Sequence, residues 1–114
     1  MSDCLFCKII KGEIPSSKVY EDDKVYAFND IDPQAPVHFL VVPKTHISSA
    51  LEITEENADL PGHVFLTVSK LAKEMGFADK GFRIVNNCGE DGGQTVGHIH
   101  FHVLAGRNIG WPPG

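Results

Sequence analysis

The stretch Gln94-Thr95-Val96-Gly97-His98-Ile99-His100-Phe101-His102-Val103-Leu104 constrains this chain more than any other. Histidine alternates with an apolar residue from position 98 to 103. In an extended strand successive side chains point to opposite faces. His98, His100 and His102 then share one face, while Ile99, Phe101 and Val103 enter the core. At about 3.3 Å of rise per residue, neighbouring imidazoles start roughly 6.6 Å apart. Three uses of such a row compete. It can be a solvated polar face. It can be a metal site, since an H-x-H pair on a strand offers two zinc ligands. Or one imidazole can attack phosphorus while its neighbours steady the charge. The preceding Asp91-Gly92-Gly93-Gln94-Thr95 tilts the balance toward phosphate chemistry. Glycines let backbone N–H groups approach an anion, and a hydroxyl can serve a leaving oxygen.

The rest of the composition narrows the field. A chain of 114 residues is one domain, 1–114, long enough for a single core. Its net charge of −5 argues against a broad basic nucleic-acid surface. Any anionic small molecule must be held by imidazoles and local dipoles. Met1 to Phe6 lacks the basic start and apolar run of a signal peptide, and nothing approaches the roughly 20 apolar residues of a membrane span. Three cysteines, an odd count, suit a reducing cytoplasm. Cys4-x-x-Cys7 at a helix start is redox-active, zinc-binding or incidental. A redox role expects a thioredoxin-like βαβ context, which the pattern lacks.

In chain order, Asp3 is expected to cap a short helix from Cys4 to about Lys11, closed by Gly12, with Leu5, Phe6, Ile9 and Ile10 as its apolar face. Lys18-Val19-Tyr20 and Val25-Tyr26-Ala27-Phe28 read as a hairpin turning at Glu21-Asp22-Asp23. Val37 to Val42 is the next strand, stopped by Pro43. Thr54-Glu55-Glu56 should open a long helix, with Val64, Val68, Leu71, Ala72 and Met75 facing the core. Pro61-Gly62 should kink this helix or delay its regular part, and Gly76 should end it. Phe82 to Asn86 is a strand, followed by a glycine-rich loop and the histidine strand. These elements predict an α+β domain on an antiparallel sheet.

His98-Ile99-His100-Phe101-His102-Val103-Leu104 matches the histidine-triad signature, in which three histidines alternate with apolar residues and two more apolar residues follow. Cys4 to Ile14, Asp30 to Phe39, Val42-Pro43-Lys44, Gly92-Gly93-Gln94-Thr95 and the final Trp111-Pro112-Pro113-Gly114 extend the likeness over nearly the whole chain. It resembles the histidine triad superfamily, and within it the nucleotide-binding Hint branch in a bacterial form with a C-x-x-C motif. The resemblance implies a five-stranded antiparallel sheet with one long and one short helix, two such sheets joining in a homodimer. It also implies a purine-nucleotide hydrolase cleaving nucleoside 5′-phosphoramidates or related mixed linkages, with no cofactor required for catalysis.

Carried over by the resemblance, His100 is the nucleophile on the α-phosphorus, and a backbone carbonyl near His98 fixes its tautomer. His102 donates to a phosphoryl oxygen, His38 supports from the neighbouring strand, and Thr95 stands where the family usually has serine. Gln94, Gly93 and Asn87 serve the phosphate. Leu5, Phe6, Ile9, Ile14, Phe28, Ile31 and Leu40 form the nucleoside slot, and Asp30 accepts the ribose hydroxyls. The resemblance pairs Cys4 and Cys7 with His46 and His98 in a closed, structural zinc site. The tail, 105–114, is implied to reach the partner's active site through Trp111. Gly97 departs from the larger, often aromatic residue usual there. Two other functions stay open from the residues: a nucleotide-binding regulatory module with incidental turnover, and a zinc-dependent hydrolase using the histidine row.

Overall fold

A computed structural model describes residues 4–114. Asp3, the expected helix cap, lies outside them. Cys4 caps helix α1 (Leu5–Ile10) instead, its sulfur accepting from the Cys7 amide, and Gly12 follows in the left-handed region at φ 80°. Strands β1 (Lys18–Glu21), β2 (Val25–Asn29), β3 (Val37–Pro43), β4 (Phe82–Val85) and β5 (Phe101–Ala105) form one antiparallel sheet in the order β1-β2-β3-β5-β4. Helix α2 (Asp59–Met75) joins the two halves. The α+β architecture with a five-stranded antiparallel sheet agrees with the expectation.

Strands β2 and β3 are buried on both faces, so each must be covered twice. Val25, Ala27, Phe39, Val41, Val103 and Ala105 pack with Val64, Val68, Leu71 and Ala72 of α2. Tyr26, Phe28, Leu40 and Val42 face the other way and pack with Phe6 and Ile9 of α1. Leu40 pairs with His102 and His38 with Leu104 across β3 and β5. Directly paired residues share a face, so His38 and His102 lie diagonally together on the α1 side.

Several boundaries differ from the sequence reading. The histidine row is not one strand: β5 begins at Phe101, and the chain bends at 96–98. Continued register would place Ile99 opposite Pro43, which has no N–H to give. The Ile99 amide donates to the Ile47 carbonyl instead, at 2.6 Å. Helix α2 starts at Asp59 rather than Thr54, because Thr54 and Asn57 cap the turn before it. Pro61 therefore falls in the first turn, where its missing N–H costs nothing; it delays the helix without kinking it. Met75 is exposed and leaves the core stripe, which Thr67 joins by donating its hydroxyl to the His63 carbonyl. No helix among the described residues is long and apolar enough to cross a membrane.

The hairpin turn is tied to α2 through Asp22. One carboxylate oxygen accepts the Lys24 and Val25 amides, and the other accepts from the Tyr20 hydroxyl and the His63 ring. Burial raises the pKa of this group, but His63, the two amides and Tyr20 outweigh it and hold the carboxyl well below the usual carboxylate range. A depressed folded pKa stabilises above the unfolded value of about 3.9, and that stability is lost as pH falls through the folded one. Asp22→Asn should therefore cost about 1–2 kcal/mol at pH 7, with the gap to wild type closing in strong acid. Urea denaturation at pH 7 and pH 3 checks this; an equal gap at both would refute the electrostatic origin.

Candidate active site and metal centre

On the α1 face the helix stands off the sheet and leaves a cavity of about 410 Å³. Leu5, Phe6 and Ile9 of α1 form one wall, continued by Ile14 and Pro15. Phe28 and Leu40 of the sheet form the floor, with Asp30 and Ile31 at one rim. Thr95, Val96, His100 and His102 close the opposite end. Phe6 sets its ring edge to face against Phe28 at 5.5 Å and His100 at 5.1 Å, so it packs as core and lines the cavity at once. Every residue expected in the nucleoside slot is on the wall. Pro15 and Val96 were not foreseen, since each looks like an ordinary apolar loop residue.

The expected phosphate contacts from the loop are placed differently. Asn87, Gly93 and Gln94 do not line the cavity. Gln94 uses both ends of its carboxamide within the protein, accepting from the Gly89 amide and donating to the Ser48 and Val96 carbonyls. The Gly93 amide donates to the Glu90 carbonyl. Gly92 has its own reason to be glycine, because a Cβ there would come 2.4 Å from the Cys88 carbonyl oxygen. The loop residue that does brace the site is Asn86, whose amide donates to the His100 carbonyl at 2.9 Å. No sequence signal distinguished it from Asn87.

The hydrogen bonds assign a tautomer to each imidazole. His98 Nε2 donates to the Pro43 carbonyl at 2.9 Å, so its Nδ1 keeps a lone pair. His100 Nδ1 donates to the His98 carbonyl at 2.8 Å, the carbonyl expected from the resemblance, and its Nε2 is left unprotonated. The Gln34 amide donates into His38 Nδ1 at 3.0 Å, so His38 carries its proton on Nε2 and gives it to His102 Nδ1 at 3.0 Å. His102 is then protonated on Nε2. Burial, then the neighbouring His100 and His38, push its pKa down to about 4 against an upward pull from Asp30. Near neutral pH the cavity thus presents one nucleophilic nitrogen and one neutral donor.

Asp30, His38 and His102 come close enough to suggest a metal, with Asp30 Oδ2 at 3.5 Å from His38 Nε2 and 3.9 Å from His102 Nδ1. The Gln34 amide argues otherwise. A metal on His38 Nε2 needs a lone pair there, and neutral imidazole supplies one only by protonating Nδ1, which faces another N–H donor.

Cys4, Cys7, His46 and His98 form the second cluster, with donor atoms within 4.8 Å of one another. Cys4 Sγ lies 3.3 Å from His98 Nδ1; Cys7 Sγ lies 3.3 Å from His46 Nδ1 and 3.6 Å from His98 Nδ1. Tetrahedral zinc, with bonds of about 2.3 Å to sulfur and 2.0–2.1 Å to nitrogen, requires S···N edges near 3.6 Å. The donor set fits. Burial keeps His98 neutral by lowering its pKa, and burial pushes the Cys7 thiol up, with Cys4 adding to the rise. A cation among the four would reverse the thiol's preference. The three histidines of the row therefore divide: His98 turns to the thiols, while His100 and His102 turn to the cavity.

Comparisons with known proteins agree with this arrangement. The chain is 49% identical over 98% of its length to all of a 14 kDa zinc-binding protein of Brassica juncea. It is 48% identical over 99% of its length to 78% of adenylylsulfatase HINT1 of Arabidopsis thaliana. The structure resembles a HIT family hydrolase from Legionella pneumophila Philadelphia 1 with a TM-score of 0.96, at 46% identity, covering 98% of this chain and all of that one. The sequence profile of the HIT domain matches residues 11–109. A profile match over most of the chain and relatives near half identical over almost all of it show that the chain belongs to the HIT domain family.

Proposed function

We propose that this protein is a purine-nucleotide hydrolase that cleaves nucleoside 5′-phosphoramidates or related mixed linkages through a nucleotidyl-histidine intermediate. The observation that carries this reading is the tautomer of His100. Its Nδ1–H is held by the His98 carbonyl, so the Nε2 lone pair is the nitrogen available to attack. The nucleoside occupies the slot between α1 and the sheet, and Asp30 accepts from the ribose. His100 Nε2 bonds to the α-phosphorus, the bond from phosphorus to the leaving nitrogen breaks, and the departing amine takes a proton from solvent, relayed by the Thr95 hydroxyl. His102 Nε2–H donates to a phosphoryl oxygen as charge builds. Water then attacks phosphorus, the bond to Nε2 breaks, the proton the water loses goes to solvent, and the nucleoside monophosphate leaves with His100 neutral again.

Zinc held by Cys4, Cys7, His46 and His98 is structural in this reading. These four residues would hold it between α1, which carries the pocket wall, and the segment before β5, and it would supply no chemistry at phosphorus. Protein stripped with a chelator should still release monophosphate from a purine nucleoside phosphoramidate, followed by chromatography. Activity that vanishes on chelation with the circular dichroism unchanged, and returns with zinc, would establish a metal-dependent hydrolase instead.

Two copies are proposed to pair through α2 and edge strand β4. Phe65, Leu66 and Met75 on the helix and Phe82 on the strand are all exposed, a set large enough to need a partner. The tail is held at its base by Arg83, which donates to the Ile109 and Gly110 carbonyls and leaves Trp111 projecting, 83% exposed. In the dimer Trp111 would reach the partner's cavity. Light scattering at micromolar concentration should give twice the chain mass; the mass of one chain would exclude the dimer.

A further inference from the structure

We infer that Asp30 is a positioning residue for the His38–His102 pair, holding the proton the two imidazoles share. This deepens the hydrolase reading and rests on it only for the kinetic half of the test.

The carboxylate is fixed in a direction that a plain ribose acceptor would not need. Its Oδ1 accepts the Asp32 amide at 2.8 Å, and this orients Oδ2 toward the pair. The proton count then leaves one hydrogen in the triangle. His38 Nδ1 is already an acceptor, so Nε2 bears the ring's proton and gives it to His102 Nδ1 at 3.0 Å, with Asp30 Oδ2 facing the same nitrogen at 3.5 Å. The His38 side chain is 4% exposed and the Asp30 side chain 19% exposed, so little water screens them.

What faces His102 gives Asp30 its weight. His38 comes from β3, His100 from the segment before β5, and Asp30 from the β2–β3 connection. The two imidazoles oppose a positive charge on His102; only the carboxylate favours one. As charge builds on a phosphoryl oxygen, His102 Nε2–H donates to it with no change in the pair's proton count, and the Asp30 carboxylate facing His38 Nε2 keeps both rings in the tautomers that leave this donor in place. A ribose acceptor alone would contribute binding common to ground and transition state, whereas this role appears in turnover.

The test uses Asp30→Asn, which keeps an oxygen for the Asp32 amide and removes the charge. Wild type and variant are assayed on a purine ribonucleoside phosphoramidate and on its 2′,3′-dideoxy counterpart, which offers no hydroxyls to Asp30. The ligand-free proteins are compared by imidazole ¹⁵N NMR. We expect kcat to fall about tenfold on both substrates, and the protonated fraction of His102 at pH 5 to fall about threefold. A dideoxy kcat equal to wild type, with His102 resonances unmoved, would reduce Asp30 to a ribose contact and overturn the inference. If wild type turns over neither substrate, the hydrolase reading fails, and the NMR comparison alone decides: a shifted His102 supports the role of Asp30, an unshifted one ends it.

Discussion

His100→Asn is expected to abolish turnover, lowering kcat by at least on the order of 10³-fold, while nucleoside monophosphate still binds within about fivefold of wild type. The asymmetry follows from the division of labour in the cavity. In the proposed reading the base and ribose rest against Phe6, Ile9, Phe28 and Leu40 of the cavity wall, and asparagine removes none of them. What it removes is the one nitrogen whose lone pair is set free by the His98 carbonyl. A carboxamide can still donate to that carbonyl, so the backbone there should not move. Pre-steady-state assays separate the two quantities, and calorimetry gives the binding constant. Turnover near the wild-type rate would show that another group attacks phosphorus, and the reading of the row would have to be rebuilt.

The second large effect is on the metal centre. Cys4→Ser combined with Cys7→Ser should eliminate stoichiometric zinc and lower the melting temperature by on the order of 10 °C, equivalent to about 2–3 kcal/mol in a domain of this size. Metal content by mass spectrometry and a thermal scan measure both. The loss concentrates in α1, a helix of only six residues whose start is capped by a cysteine sulfur. Because Phe6 and Ile9 lie on that helix, KM should rise more than kcat falls. Cleanly prepared wild-type protein with no stoichiometric zinc would refute the structural-metal reading at the outset.

How far these features could be read without coordinates depends on what kind of bond determines them. Strands β2 and β3 and helix α1 are legible because their apolar residues are local and each is stopped by residues with a physical reason to stop it: the Asp32-Pro33 break, Pro43 and Gly12. The start of β5 is not, because it depends on Ile99 giving its amide to Ile47, a partner that no spacing rule names. Thr54 misled in the opposite direction. It is a good cap followed by acids, but it caps a turn, and the helix waits for Asp59. In the site, the metal set and the nucleoside slot came from the resemblance, since Phe6 and Ile9 look the same as core or as pocket. Asn86 escaped notice because its neighbour Asn87 is the same residue. The resemblance gives Gln94 to the phosphate, but its carboxamide donates to the Ser48 and Val96 carbonyls, partners that no motif names.

One feature of the histidines bears on how such a site can persist while sequences drift. His98 is fixed by the Pro43 carbonyl, His100 by the His98 carbonyl and His38 by the Gln34 amide. All three partners are main-chain atoms, present whatever side chain the position carries. Substitution at position 34 can change bulk, charge and polarity and still leave His38 holding its proton on the same nitrogen. The exception is proline at 34, which has no amide hydrogen. The acid–base pattern of the site is thus inherited with the path of the backbone, and it can outlast most of the residues around it.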